Sequence, residues 1–210
     1  TKRVAEQVIQ ARSVDSRVKY MAVRFGNVIG SSGSVIPTFQ DQINKGGPIT
    51  ITDPNIKRYF MSIPEAAQLI LQAGAIGTGG EIFVLDMGKP LLIKDIATEL
   101  IKLSGLTPEV DIPIEYIGLR PGEKMFEELI TKGENITDSP HEKIMVLKNT
   151  ISHGWNKVLA ESEKIIELSK SYNADEIKKS LIKLVPEYSP ESIVDSKLPF
   201  IFEKLSQEKL

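Results

Sequence analysis

The residues best suited to chemistry lie in Ile117-Gly-Leu-Arg-Pro-Gly-Glu-Lys-Met125, where Arg120, Glu123 and Lys124 flank a Pro-Gly turn. Two cations and a carboxylate this close suit a phosphorylated ligand. Arg120 presents a planar fork to phosphate oxygens, Lys124 adds a point charge, and Glu123 accepts from ligand hydroxyls. The plain alternative is a solvated turn opening a helix near Met125, because Pro-Gly marks turns whatever their use.

The elements that must position these residues are read from periodicity and punctuation. The stretch from Thr1 to Ile9 reads as the middle of an amphipathic helix with no cap before it, so the chain is expected to be a fragment of a longer protein. Val18 to Phe25 is an apolar run ending in Gly26-Asn27, the pattern of a buried parallel strand whose C-terminal end carries ligand contacts. A flexible loop, Gly30-Ser-Ser-Gly-Ser34, leads to a helix over 35–44 ended by Gly46-Gly47, and Pro48 to Thr52 alternates like a strand. Ser62-Ile-Pro-Glu65 has capping-box spacing and predicts a helix over 64–73, stopped by glycines 74, 77, 79 and 80.

Glu81 to Asp86 reads as a second strand, and Ile93, Ile96, Ala97, Leu100 and Ile101 form one helical stripe ended by Ser104-Gly105. Pro113 to Ile117 is a predicted strand leading into the Arg-Pro-Gly-Glu-Lys turn, with a helix expected over 125–130. Lys143 to Leu147 predicts a strand, and helices are expected around Trp155 to Ile166 and Ile177 to Val185, the latter ended by Pro186. Arg24, inside a predicted strand, is either a pocket residue or a member of a buried ion pair. The tail after Tyr188 is polar and is expected to fray. Two strands with crossover helices are too few for an open parallel sheet, so a partner N-terminal to Thr1 is expected.

The 210 residues are 41% hydrophobic and 26% charged with net charge −2, which indicates a globular chain without a basic face for nucleic acid. The absence of cysteine excludes disulfides and thiolate metal sites and fits a reducing compartment. With only His141 and His153 as imidazoles, no metal site is expected. No apolar run is long enough to cross a bilayer, and no signal peptide is evident.

Five segments, in order, resemble the C-terminal half of the extended short-chain dehydrogenase/reductase family. They are Thr1-Lys-Arg-Val-Ala-Glu6, Val23 to Pro37, Ile51-Thr-Asp53 with Arg58-Tyr-Phe-Met61, Gly80 to Val84, and Leu119-Arg-Pro-Gly-Glu-Lys124. Within that family the likeness is to the UDP-N-acetylglucosamine 4,6-dehydratases of polysaccharide biosynthesis, including large membrane-bound members. The resemblance implies an α/β fold: the C-terminal part of a Rossmann-type domain, plus a small α+β substrate-binding domain. The two would interleave over residues 1–150, followed by a helical extension over 151–188 and a flexible tail over 189–210.

By the same resemblance, Lys2 is the lysine of a Tyr-x-x-x-Lys motif and contacts the nicotinamide ribose of NADP or NAD. Its tyrosine, or a methionine in the large membrane-bound members, precedes Thr1. Asn27, Val28, Ile29, Gly30, Ser31 and Ser32 would pass between cofactor and sugar, with Asn27 serving both. Val35 and Thr52 would line the uridine pocket, Arg58 and Arg120 would face the pyrophosphate, and Glu123 would contact ribose or order the turn. The bland alternatives are an exposed helix lysine at Lys2, a strand-to-helix loop after Asn27, and solvated arginines.

The implied reaction is oxidation of the sugar at C4, loss of the C6 hydroxyl as water, and return of the hydride to C6. The acid/base residues and the dinucleotide loop of the family precede the lysine, and no G-x-G-x-x-G follows a strand here, so the isolated chain is expected to be inactive. A C4 epimerase and a noncatalytic nucleotide-sugar-binding module are the rival expectations. The expected partners are a UDP-sugar, the N-terminal half of the same enzyme and, in the parent, further copies of itself. The expected location is cytoplasmic, with an N-terminal region anchoring the parent to the membrane.

Overall fold

A computed structural model describes residues 1–131, 134–147, 154–171 and 173–189. In chain order the first elements are α1 (Lys2–Ser13), β1 (Ala22–Arg24), β2 (Asn27–Val28), α2 (Val35–Asn44), β3 (Ile49–Ile51), β4 (Lys57–Arg58), β5 (Phe60–Met61) and α3 (Ile63–Ile76). There follow β6 (Ile82–Leu85), β7 (Leu91–Leu92), α4 (Ile93–Leu103), β8 (Ile114–Tyr116), β9 (Ile136–Asp138), β10 (Ile144–Leu147), α5 (Trp155–Lys170) and α6 (Ala174–Leu184). These elements form two compact units drawn from alternating stretches of chain. The first takes Thr1–Phe25, Gln68–Asp86 and the described part of Leu129–Ser192, and the second takes Gly26–Ala67 and Met87–Glu128.

The first unit is built on a sheet of order β1-β6-β10-β9. β1 and β6 are parallel, while β10 runs antiparallel to both β6 and β9. Ile82, Phe83, Val84 and Leu85 are all buried, as a strand covered on both faces requires. The α5 and α6 helices are tied to α1. Gln7 Nε2 donates to the carbonyl of Leu184 at 2.6 Å, and the Arg12 guanidinium lies 5.4 Å from the Trp155 ring centroid.

The second unit has a core of Phe39, Ile43, Ile49, Ile51, Ile56, Ile93, Ala97, Ile101, Ile112 and Ile114. Ile93, Ala97 and Ile101 recur every four residues and so present one face of α4 to it. β3 and β8 pair in parallel, with Ile49 opposite Ile114. Gln42 on α2 exchanges two hydrogen bonds with Thr50 on β3, fixing helix against strand.

Four expectations require correction. Residues 125–130 are not helical. The Met125 carbonyl, which would start a helical ladder, accepts instead from Lys57 N at 3.2 Å and from Arg58 at 3.1 Å. Gly74 does not stop α3, which runs on to Ile76, since one glycine costs a helix only about 1 kcal/mol. The stop comes at Gly77, where a Cβ would lie 2.5 Å from Met21 Sδ. The first strand begins at Ala22 rather than Val18, because Tyr20 lies against the glycine turn and accepts from Gly80 N at 2.6 Å. Finally, the sheet is extended by the antiparallel strands β10 and β9, and β9 was not foreseen.

The expected frayed tail and His153 lie outside the described residues, apart from Ser189. Among the described residues no helix is long and apolar enough to cross a membrane, and no group of three or more His, Cys, Asp or Glu could hold a metal ion.

Candidate functional site

Most of the predicted site residues fall in the second unit, around the short strands β2, β4 and β5. β2 pairs in parallel with β5, placing Asn27 opposite Phe60 and Val28 opposite Met61. Asn27 N donates to Tyr59 O and Ile29 N to Met61 O, both at 2.9 Å. From β2 the chain turns through Gly30 to Ser34 into α2. Gly26, Asn27, Val28, Ser31, Ser32, Gly33, Ser34 and Val35 line an open cleft of about 420 Å³. Ser34, the residue preceding α2, has a buried hydroxyl without a hydrogen-bond partner among the described residues. Val35 packs its side chain against the second unit's core.

A close approach fixes the residue type at the head of this cleft. A Cβ on Gly26 would lie 2.8 Å from Tyr59 Cβ and 3.0 Å from Glu127 Oε2. Gly26→Ala must therefore push β2 away from β5. We expect a loss of about 2 kcal/mol in urea unfolding of the full chain.

The Arg-Pro-Gly-Glu-Lys segment forms the turn that its sequence predicts. Glu123 N donates to Arg120 O at 2.9 Å, and Gly122 has φ +79°, a conformation in which glycine at the third position of a Pro-Gly turn is unstrained. The Glu123 carboxylate closes the turn: Oε2 accepts from Arg120 N at 3.1 Å and Oε1 from Thr52 Oγ1 at 3.1 Å.

Arg58 anchors the far side of the turn. Its guanidinium donates to the carbonyls of Lys57 (2.8 Å), Lys124 (2.8 Å) and Met125 (3.1 Å). It also lies 3.6 Å from Glu123 and 3.9 Å from Glu127. Glu127 further accepts from Tyr59 N at 3.4 Å, binding the strand segment that borders β2 to the turn. Lys124 pairs with Glu128. The Arg120 side chain is exposed, and among the described residues its guanidinium makes no ion pair with a carboxylate.

The structure thus brings Thr52, Arg58, Glu123 and the backbone of Arg120 into one cluster, and Asn27, Val28, Ser31, Ser32 and Val35 to one cleft, whose lining leaves out Ile29 and Gly30. Arg58 is mainly a clamp on the turn, whereas Arg120 holds the available guanidinium. Sequence reasoning missed Glu127, because nothing local names its partners: Tyr59 lies 68 residues earlier and Arg58 beside it. Lys2 belongs to the first unit, where it is the exposed first residue of α1.

Arg24, left open between two roles, is an ion-pair member of the first unit. Its Nε and one terminal nitrogen bind Glu6 at 2.5 and 2.7 Å. Both terminal nitrogens reach Glu134, at 2.7 and 2.9 Å, and one also donates to the Leu129 carbonyl at 2.9 Å. Burial alone would raise the Glu134 carboxyl, but Arg24 and the Thr131 amide outweigh it and hold the group below its ordinary value.

Residues 1–149 match the family described as polysaccharide biosynthesis protein. The chain belongs to that family. The capsular polysaccharide biosynthesis protein CapD of Staphylococcus aureus is 59% identical over 145 residues, which is 69% of this chain and 24% of CapD. The X-ray structure of Pen from Bacillus thuringiensis shares 37% identity at a TM-score of 0.61, over 71% of this chain and 47% of that one. DesIV, a dTDP-glucose 4,6-dehydratase from Streptomyces venezuelae solved with NAD and TYD bound, gives a TM-score of 0.51 at 19% identity, over 58% of this chain and 38% of that one, and so shares the fold alone. That likeness makes the α/β architecture Rossmann-type. The chain spans about a quarter of CapD and less than half of either solved chain.

Proposed function

We propose that this chain supplies the nucleotide-sugar-holding portion of a polysaccharide-biosynthesis 4,6-dehydratase acting on UDP-N-acetylglucosamine. The observation that carries the reading is the convergence of Thr52 Oγ1, the Arg58 guanidinium and the Arg120 backbone amide on the carboxylate of Glu123, which ties segments far apart in sequence to the turn that carries Arg120. A diphosphate offers paired oxygens that match a guanidinium fork, and the exposed Arg120 guanidinium is the one assigned to bind them while Arg58 holds the turn. Thr52 then borders the nucleoside, as its place beside Glu123 allows.

The wall formed by Asn27 to Ser32 fits a nicotinamide cofactor, NADP or NAD, on two grounds. Gly26 permits close backbone approach at one end, and the orphaned Ser34 hydroxyl offers an unmatched polar atom at the other. When bound, that cofactor takes up a hydride from the sugar and returns it. The residues of this wall border the sugar and exclude water, while the amides of Asn27, Ile29 and Ser31 are kept by Tyr59, Met61 and Val28. Lys2 is assigned to the cofactor ribose by its place in the motif.

The test is a product assay on a full-length enzyme containing this chain, with UDP-N-acetylglucosamine as substrate. A 4-keto-6-deoxy product supports the reading, and a C4 epimer or no product sinks it. In the same assay Arg120→Ala removes a charge-assisted pair. It is expected to weaken substrate binding by about 2 kcal/mol, roughly thirtyfold in the Michaelis constant, without altering the melting midpoint. An unchanged Michaelis constant counts against the role.

A further inference from the structure

The Arg-Pro-Gly-Glu-Lys turn holds an acid, Glu123, as well as its cations. Glu123 Oε1 lies 3.6 Å from the Arg58 guanidinium, and the carboxylate is held there by Thr52 Oγ1 and Arg120 N, each at 3.1 Å. Glu127 lies 3.9 Å from the same guanidinium, and Lys124 is engaged by Glu128. Glu123 and Glu127 therefore both stand as counter-charges beside Arg58. The Glu123 carboxylate closes the turn, and the charge it fixes there also repels every phosphate that enters.

The repulsion is not equal for all diphosphates. One esterified at both ends, as in a nucleotide sugar, carries a single negative charge on each phosphorus. One ending in a free phosphate carries a further partial or full charge near neutral pH, since the second ionisation of a phosphate monoester lies near pH ~6. Resting on the reading of this turn as a diphosphate site, we propose that Glu123 is a specificity-determining residue that favours the doubly esterified diphosphate over the free nucleoside diphosphate. The carboxylate cannot swing aside without giving up both of its hydrogen bonds, so the discrimination is built into the turn. Its consequence is that the free nucleotide competes poorly with the nucleotide sugar.

Titration calorimetry of a full-length enzyme containing this chain against UDP and UDP-N-acetylglucosamine tests this, with Glu123→Gln and Glu128→Gln as variants. In E123Q we expect UDP to bind about tenfold more tightly and the nucleotide sugar about threefold, so that the preference for the sugar nucleotide falls. E128Q removes the same charge from an exposed pair and should move the ratio of the two affinities by less than about twofold. An unchanged ratio in E123Q, or an equal change in both variants, overturns the charge filter and leaves the diphosphate reading standing. Failure of the wild-type enzyme to bind either ligand overturns the diphosphate reading and this proposal together. Glu123→Asp guards against a merely broken turn. It retains the charge and should keep the wild-type preference, whereas a loss of preference equal to that of E123Q assigns the effect to turn geometry and overturns the proposal.

Discussion

Replacing Arg24 with Met is expected to destabilise the chain by about 3 kcal/mol, measured by urea unfolding at neutral pH. The Arg24 side chain is only 14% exposed, and all five of its donors are used, on Glu6, Glu134 and the Leu129 carbonyl. Methionine fills much the same space, so the loss is electrostatic: two carboxylates remain, one of them only 6% exposed, with Arg3 as their shared cation at 2.9 Å from Glu6 and 3.4 Å from Glu134. Breaking one side of a buried pair costs far more than a surface pair contributes. The acid limb of the stability curve supplies a second readout. Glu134 is held below its ordinary value of 4.5, so its contribution is complete above about pH 4.5 and is lost as pH falls through the lower folded-state value. In R24M that depression is largely relieved, and stability should fall less steeply below pH 4.5 than in the wild type. Parallel acid limbs in the two proteins would show that Arg24 does not hold Glu134.

The same pair shows what the sequence could and could not reveal. Local patterns were legible: the stripe of Ile93, Ala97 and Ile101 became the buried face of α4, and Ile82 to Leu85 became a buried strand because an apolar run needs no distant information. Arg24 could be narrowed to two roles but not assigned, since Glu134 lies 110 residues further along the chain. The expected helix over 125–130 failed for a related reason. Phe126, Leu129 and Ile130 recur at helical spacing, yet the carbonyls ahead of them are taken by Arg58, about 67 residues earlier. β9 was invisible because Ile136-Thr-Asp138 offers one apolar residue and acquires its structure from pairing with β10. The residues proposed for the site were named through ordered motifs. Its internal division of labour, with Arg58 as clamp and Arg120 as free cation, depends on hydrogen bonds that no spacing encodes.

That division predicts opposite consequences for the two arginines. Arg58→Ala strips donors from three backbone carbonyls and a counter-charge from Glu123 and Glu127, in a stretch with no helix or strand of its own between residues 117 and 128. Charge-assisted bonds of this kind contribute roughly 1.5–3 kcal/mol each when buried. Arg58 is 14% exposed and water can replace part of what is lost, so we expect about 3 kcal/mol in urea unfolding. Amide exchange locates the effect: the amides of Lys57, Tyr59 and Glu123, which are bonded in or onto the turn, should lose protection in R58A and retain it in R120A. Arg58→Lys keeps the charge, but a single ammonium cannot reproduce the spread of a planar fork across three carbonyls, and it should recover less than half of the loss. If R58A unfolds at the wild-type midpoint while binding the nucleotide sugar weakly, Arg58 acts on the ligand directly and the turn stands without it. If it unfolds early and binds weakly while R120A only binds weakly, then one guanidinium builds the site and the other uses it.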